Sequence, residues 1–155
     1  RGSYYSLGWA LSEPALLRPG AQVPTEITID TTNVGSIISF AMNLLDTAVF
    51  AALVEFYTSG LSVEQKEADI GPIPRLRLGI ERFFVKDIND PGASATAASR
   101  IPVMWDEIAV YASTTNFNHV PGGGNCLYMD GHTEWLPWQG PFPADMLGVL
   151  LSAVF

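Results

Sequence analysis

An α+β fold is predicted for this 155-residue chain, with antiparallel strands gathered in its second half and a long helix against them. Three observations carry that expectation. Residues 34–58 hold the clearest apolar pattern at helical spacing. Residues 101–105, 125–129 and 132–136 are short runs suited to strands. Asp130-Gly131 stands between the last two, and such a pair favours a type I′ hairpin, whose two central residues both need φ > 0. One domain over residues 1–155 is expected, since a chain of this length can bury a sizeable core.

Each element has its own warrant. Residues 4–11 (YYSLGWAL) are aromatic-rich and read as a strand or a docked arm, ending near 12–14. Pro19-Gly20 marks a turn. Asp30, Thr31, Thr32 and Asn33 are N-cap candidates for the long helix, because their side-chain oxygens can accept its first free N–H groups. Within it, Val34, Ile37, Ile38, Ala41, Leu44, Leu45, Ala48, Val49, Ala52, Leu53 and Phe56 fall on one face, and Gly60 suits the C′ position. Phe40 and Phe50 widen the apolar surface beyond one stripe. Asp46 at its centre argues against a membrane span, where insertion would cost about 2.5–3.5 kcal/mol.

The second half is more broken. Residues 71–74 (GPIP) interrupt the chain, and Arg75-Leu76-Arg77-Leu78 alternates at the period of a half-buried strand. Residues 79–85 fit either a strand or a short helix, 87–91 a loop, and the Ala- and Ser-rich 92–99 a helical turn. Residues 101–105 read as a core strand whose start Pro102 confines to an edge. After the hairpin and a turn at 139–143, residues 144–154 form an apolar helix with Asp145 in its first turn, where the helix dipole favours a carboxylate.

Composition narrows the function. Hydrophobic residues make up 48% and charged residues 15%, against about 25% charged in typical soluble domains. Part of that apolar excess is expected to face another subunit. With 8 Lys and Arg against 16 Asp and Glu and no basic cluster, phosphate-driven nucleic-acid binding is excluded as an expectation. The single cysteine, Cys126, permits no intrachain disulfide and no thiolate zinc site, and its place in a strand suits a buried hydrophobe.

The most specific segment is 117–138, FNHVPGGGNCLYMDGHTEWLPW. His119, Gly122, Gly123, Gly124, Asn125, the apolar run 126–129, and Asp130, Gly131 and His132 follow in an order that resembles the signature of prepilin-type H-X9-DG proteins, relatives of type IV pilins and type II secretion pseudopilins. Ten residues separate His119 from Asp130 here, where that pattern has nine; a longer form with His-Val-Pro before the glycines is similar to planctomycete-type sequences. Residues 79–106 and 3–11 resemble the same group. The resemblance implies a pilin-like antiparallel sheet packed on a long amphipathic helix. It further implies an assembly role, as a homo-oligomer or within a hetero-complex, in a filament, secretion pseudopilus or other structure of the cell envelope, periplasm or cell surface. Pilin-like chains begin with a long apolar helix, which this sequence lacks; Arg1 is expected to be a processing site or the start of a fragment, and a partner chain could supply membrane proximity.

The same residues admit a different chemistry. His119, Asp130 and His132 supply zinc-type ligands or an acid–base pair, which defines a metal-dependent hydrolase reading. The structural alternative has an imidazole N–H of His119 bond Asp130, clasping the glycine loop to the hairpin turn, with His132 opposite Met129, Trp135 opposite Cys126 and Tyr128 opposite Thr133. No nucleophile motif favours catalysis, and the glycines lack the Lys and Ser/Thr of a P-loop, so loop flexibility is their expected role. Asp87, Asn89 and Asp90 make an oxygen-rich loop without EF-hand spacing; pseudopilin relatives do carry calcium, which keeps a calcium site open beside an Asx-turn capping the following Ala-rich stretch. Trp9, Trp105, Trp135 and Trp138 are expected in core or interface rather than on a sugar-stacking face. No enzymatic activity and no cofactor is expected. The alternative to the assembly role is an accessory subunit of a larger redox or photosynthetic membrane complex.

Overall fold

A computed structural model describes residues 4–6, 8–25, 30, 33–60, 69, 73–77, 80, 98–111, 114–117, 119 and 122–154. In order these form β1 (Tyr4–Tyr5), α1 (Glu13–Leu16), α2 (Val34–Leu44), α3 (Thr47–Ser59), β2 (Pro102–Asp106), β3 (Ile108–Tyr111), β4 (Thr114–Phe117), β5 (Gly123–Tyr128), β6 (Thr133–Pro137) and α4 (Met146–Val154). Mixed α+β architecture is therefore the outcome. The loop of Asp87, Asn89 and Asp90, an Asx-turn or a calcium site by sequence, lies outside the described residues, as do Leu78, 79, 81–85 and 92–97.

The single long helix expected over 34–58 is instead two. Asn33 caps α2, its Oδ1 accepting from the N–H groups of Gly35 and Ser36. Leu45 then turns extended, and Asp46 Oδ1 accepts from Ala48 N–H at 2.9 Å to start α3. Aspartate favours such a cap over a helix interior because its carboxylate competes for backbone donors. The break is also held from outside. Arg18 N–H donates to Leu44 O and Asp46 N–H to Leu16 O, so the end of α1 and the residues just after it take over bonds a continuous helix would have made itself. Gly60 ends α3 in the left-handed conformation, as its C′ assignment requires. Among the described residues no helix is long and apolar enough to cross a membrane.

Four strands form one antiparallel sheet in the order β1-β2-β5-β6, while β3 and β4 pair separately. β2 is interior, yet Pro102 sits at its open end, because β1 reaches only Trp105 and Asp106. The missing N–H of proline therefore costs no bond to β1. The arm after β1 docks by backbone bonds from Ala10 to Pro74 and from Leu76 to Gly8, and the Arg75 guanidinium lies 4.4 Å from the Trp9 ring centre.

The core joins both halves. Trp9, Leu16, Leu45, Val49, Leu53 and Phe56 from the helical half meet Trp105, Cys126, Leu136, Leu147 and Leu150 from the other. Trp9 meets Phe56 edge-on with ring centres 6.0 Å apart. Residues 146–151 of α4 are buried, which explains why that stretch holds no polar side chain.

Candidate functional site

The hairpin of β5 and β6 builds the site, and its register differs by one residue from the expectation. The loop has three residues, Met129, Asp130 and Gly131, closed by Tyr128 N–H to His132 O and Gly131 N–H to Tyr128 O. Gly131 has φ +90°, and no other turn residue is positive. A type I′ turn would need positive φ at Asp130 as well; the three-residue loop needs it at one residue only. Asp130 also gains bonds here, accepting from the N–H of His132 at 3.1 Å and contacting its Nδ1 at 2.5 Å. These bonds, the backbone one foremost, hold the Asp130 carboxyl below its usual range. Cys126 consequently faces Glu134, Asn125 faces Trp135 and Leu127 faces Thr133. His132 stacks on Tyr128, with ring centres 4.5 Å apart and nearly parallel.

The clasp at the other end of the hairpin uses a different acid. His119 Nε2 lies 3.0 Å from Asp106 Oδ2, not against Asp130. The same oxygen accepts from Asn125 N–H at 2.7 Å and from Asn125 Nδ2 at 3.0 Å. Geometry explains the correction. His119 stands near the start of β5, whereas Asp130 is beyond its end, and five strand steps span about 17 Å. His119, Asp130 and His132 are thus not assembled as one ligand set: each histidine has its own aspartate. Among the described residues no group of three or more His, Cys, Asp or Glu is placed to hold a metal.

Asp106 is the residue that sequence reasoning missed. Its signal was modest, a charged residue closing an apolar strand run, VMWD. The glycines are likewise not a loose loop: Gly123 and Gly124 are strand residues in β5. A Cβ on Gly123 would meet Leu136 O at 2.3 Å, so the close approach of β6 demands glycine there. Trp135, 40% exposed, presents its ring to His119 at 5.8 Å.

Burial shifts other groups as well, raising the Tyr128 phenol among them. Burial pushes the Cys126 thiol up to about 12, which leaves no thiolate for nucleophilic or redox work at neutral pH. Burial also pushes Asp145 up to about 6, the nearby Glu13 charge adding to it, while Gly148 N–H donates to Oδ1 at 2.9 Å. Asp145 is therefore a buried cap just ahead of α4, whereas the sequence placed it inside the first turn. It borders a cleft of about 250 Å³ shared with Glu13, Val23, Thr25 and Gln139. The chain matches no protein-family model, no curated protein and no solved structure.

Proposed function

We propose that this chain is a non-enzymatic assembly subunit, pilin- or pseudopilin-like, of a filament, secretion pseudopilus or related envelope complex. The observation that carries the reading is the outer face of α2. Val34, Ile38 and Met42 recur every fourth residue, each at least 44% exposed, and α2 contains no charged residue. Such a stripe loses water favourably only against a partner. The signature segment supports the same reading, because the carboxylates of Asp106 and Asp130 are spent on bonds that brace the hairpin.

The test is oligomeric state. Native mass spectrometry and sedimentation of the chain should show an oligomer or a co-purifying partner, and Ile38→Asp or Met42→Asp should dissolve it without changing the far-ultraviolet circular dichroism. A dispersed monomer at every concentration, recovered without a partner from its native source, sinks the proposal.

A further inference from the structure

The sheet carries a second surface that the assembly reading does not use. Each of its four strands contributes one residue to a single row. Tyr4 on β1 pairs with Asp106 on β2, Asp106 bonds Asn125 on β5, and Asn125 pairs with Trp135 on β6. Trp105 and Cys126, which precede or follow this row in their strands, point into the core. Side chains alternate along a strand, so Tyr4, Asn125 and Trp135 share the outward face. Tyr4 is 60% and Trp135 40% exposed, and three strand spacings of about 4.8 Å set these aromatic ends roughly 14 Å apart. His119 stands over the middle, against both Asp106 and Trp135.

The chemistry between the aromatic ends is selective. His119 turns Nε2 toward the carboxylate at 3.0 Å, and an imidazole with its proton on that nitrogen keeps Nδ1 as an acceptor. Asn125 directs its amide nitrogen to the same oxygen, so its Oδ1 also faces outward without a protein partner among the described residues. The row thus offers acceptors to donors on a ligand. It holds no Lys or Arg, and the chain carries a formal charge of −8, both of which disfavour a phosphate, sulfate or carboxylate ligand. Nor does it suit a cationic side chain. The Asp106 side chain is only 17% exposed, and its Oδ2 already accepts two bonds from Asn125 with His119 Nε2 3.0 Å away. A neutral ligand rich in hydroxyl donors, with apolar C–H faces for the aromatic rings and a length matching the row, meets every term.

We infer that the Tyr4–Asp106–Asn125–Trp135 row, with His119, is a binding site for a short neutral oligosaccharide, about two or three pyranose rings long. The end rings stack on Tyr4 and Trp135, and hydroxyls between them donate to Asn125 Oδ1 and His119 Nδ1. The inference does not rest on the assembly role, since it concerns a different face.

The experiment titrates the whole chain with neutral trisaccharides built of glucose (β-1,4 and α-1,4), mannose and N-acetylglucosamine, followed by tryptophan fluorescence and calorimetry. At least one should bind saturably. Trp135→Ala and Tyr4→Ala should each weaken it about tenfold, and Trp135→Phe should keep most of the affinity. Both aromatic side chains are exposed, and an unchanged urea midpoint verifies that the variants fold. Three results overturn the inference: no saturable binding to any of the four sugars, affinity indifferent to both alanine variants, or an oligo-arginine peptide binding the row in place of the sugars.

Discussion

Replacing Asp106 by alanine tests whether His119 is held by β2 and not by the hairpin tip. Two donors of Asn125 and the His119 Nε2, 3.0 Å away, converge on one carboxylate oxygen. In Asp106→Ala the backbone N–H of Asn125 loses its acceptor, and leaving such a group unsatisfied costs about 1–3 kcal/mol. The Asn125 amide and His119 imidazole belong to exposed side chains that can turn to water, so their bonds add about 0.5–1 kcal/mol together. The expected loss is about 2–3 kcal/mol. With a urea slope of about 1–3 kcal/mol per molar, the unfolding midpoint should fall by about 1 M. His119→Ala, removing only the 45%-exposed partner, should cost about 0.5–1 kcal/mol. The double variant of His119 and Asp106 should be less destabilised than the sum of the singles, while His119 and Asp130 should add within about 0.3–0.5 kcal/mol. Equilibrium urea unfolding of the singles and doubles reads all of these. Asp130→Ala proving as costly as Asp106→Ala, with His119 coupled to it, would falsify the clasp at Asp106.

Three further outcomes are expected. Asp145 has a folded pKa near 6, raised from the ordinary 3.8, so the native state holds its proton more tightly than the unfolded chain. Its contribution is therefore fully present below pH 4 and is lost as pH rises through 6, by at most about 3 kcal/mol. Asp145→Asn should flatten that part of the wild-type stability profile between pH 4 and 7; an identical slope in both proteins contradicts the assignment. Gly131→Ala should cost about 1–2 kcal/mol from backbone strain alone, because φ is +90° and nothing lies within 4 Å of an added Cβ. Gly131→Asn should cost less, and thermal unfolding that finds the two equal speaks against the three-residue loop. Cys126, fully buried and with its thiol pushed up to about 12, should react with a thiol reagent only as fast as the protein opens; prompt labelling of the native chain at pH 8 would show the thiol to be accessible.

Much of the architecture was legible because it is local. The α+β class follows from a 3.6-residue period giving way to strand-like runs, and Asn33, Gly60 and Pro102 announce their roles through backbone chemistry that needs no distant partner. Even the tip was legible as a turn, since Gly131 is where a positive φ is wanted. The errors have a common source. Periodicity runs unbroken through Leu44, Leu45 and Val49, and all three are buried, so apolar spacing cannot reveal that the backbone between them is captured by Leu16 and Arg18. A single residue of loop length likewise decides every cross-strand pair in β5 and β6, and an Asp-Gly pair is compatible with both lengths.

The sequence by itself determined the helical pattern over 34–58, the apolar C-terminal helix, the strand run at 101–105, the Gly60 cap and the hairpin within 117–138, because each depends on neighbours a few positions away; α1, β3 and β4 carry no such local mark. The tertiary structure alone decided which acid His119 meets, that the predicted long helix is two, and that Tyr4 and Trp135 stand on one face. Those facts join residues up to 131 positions apart along the chain, the separation of Tyr4 from Trp135. A carboxylate has no sequence mark that names its distant donors; only the packing of β2 beside β5 brings Asp106 to Asn125 and His119.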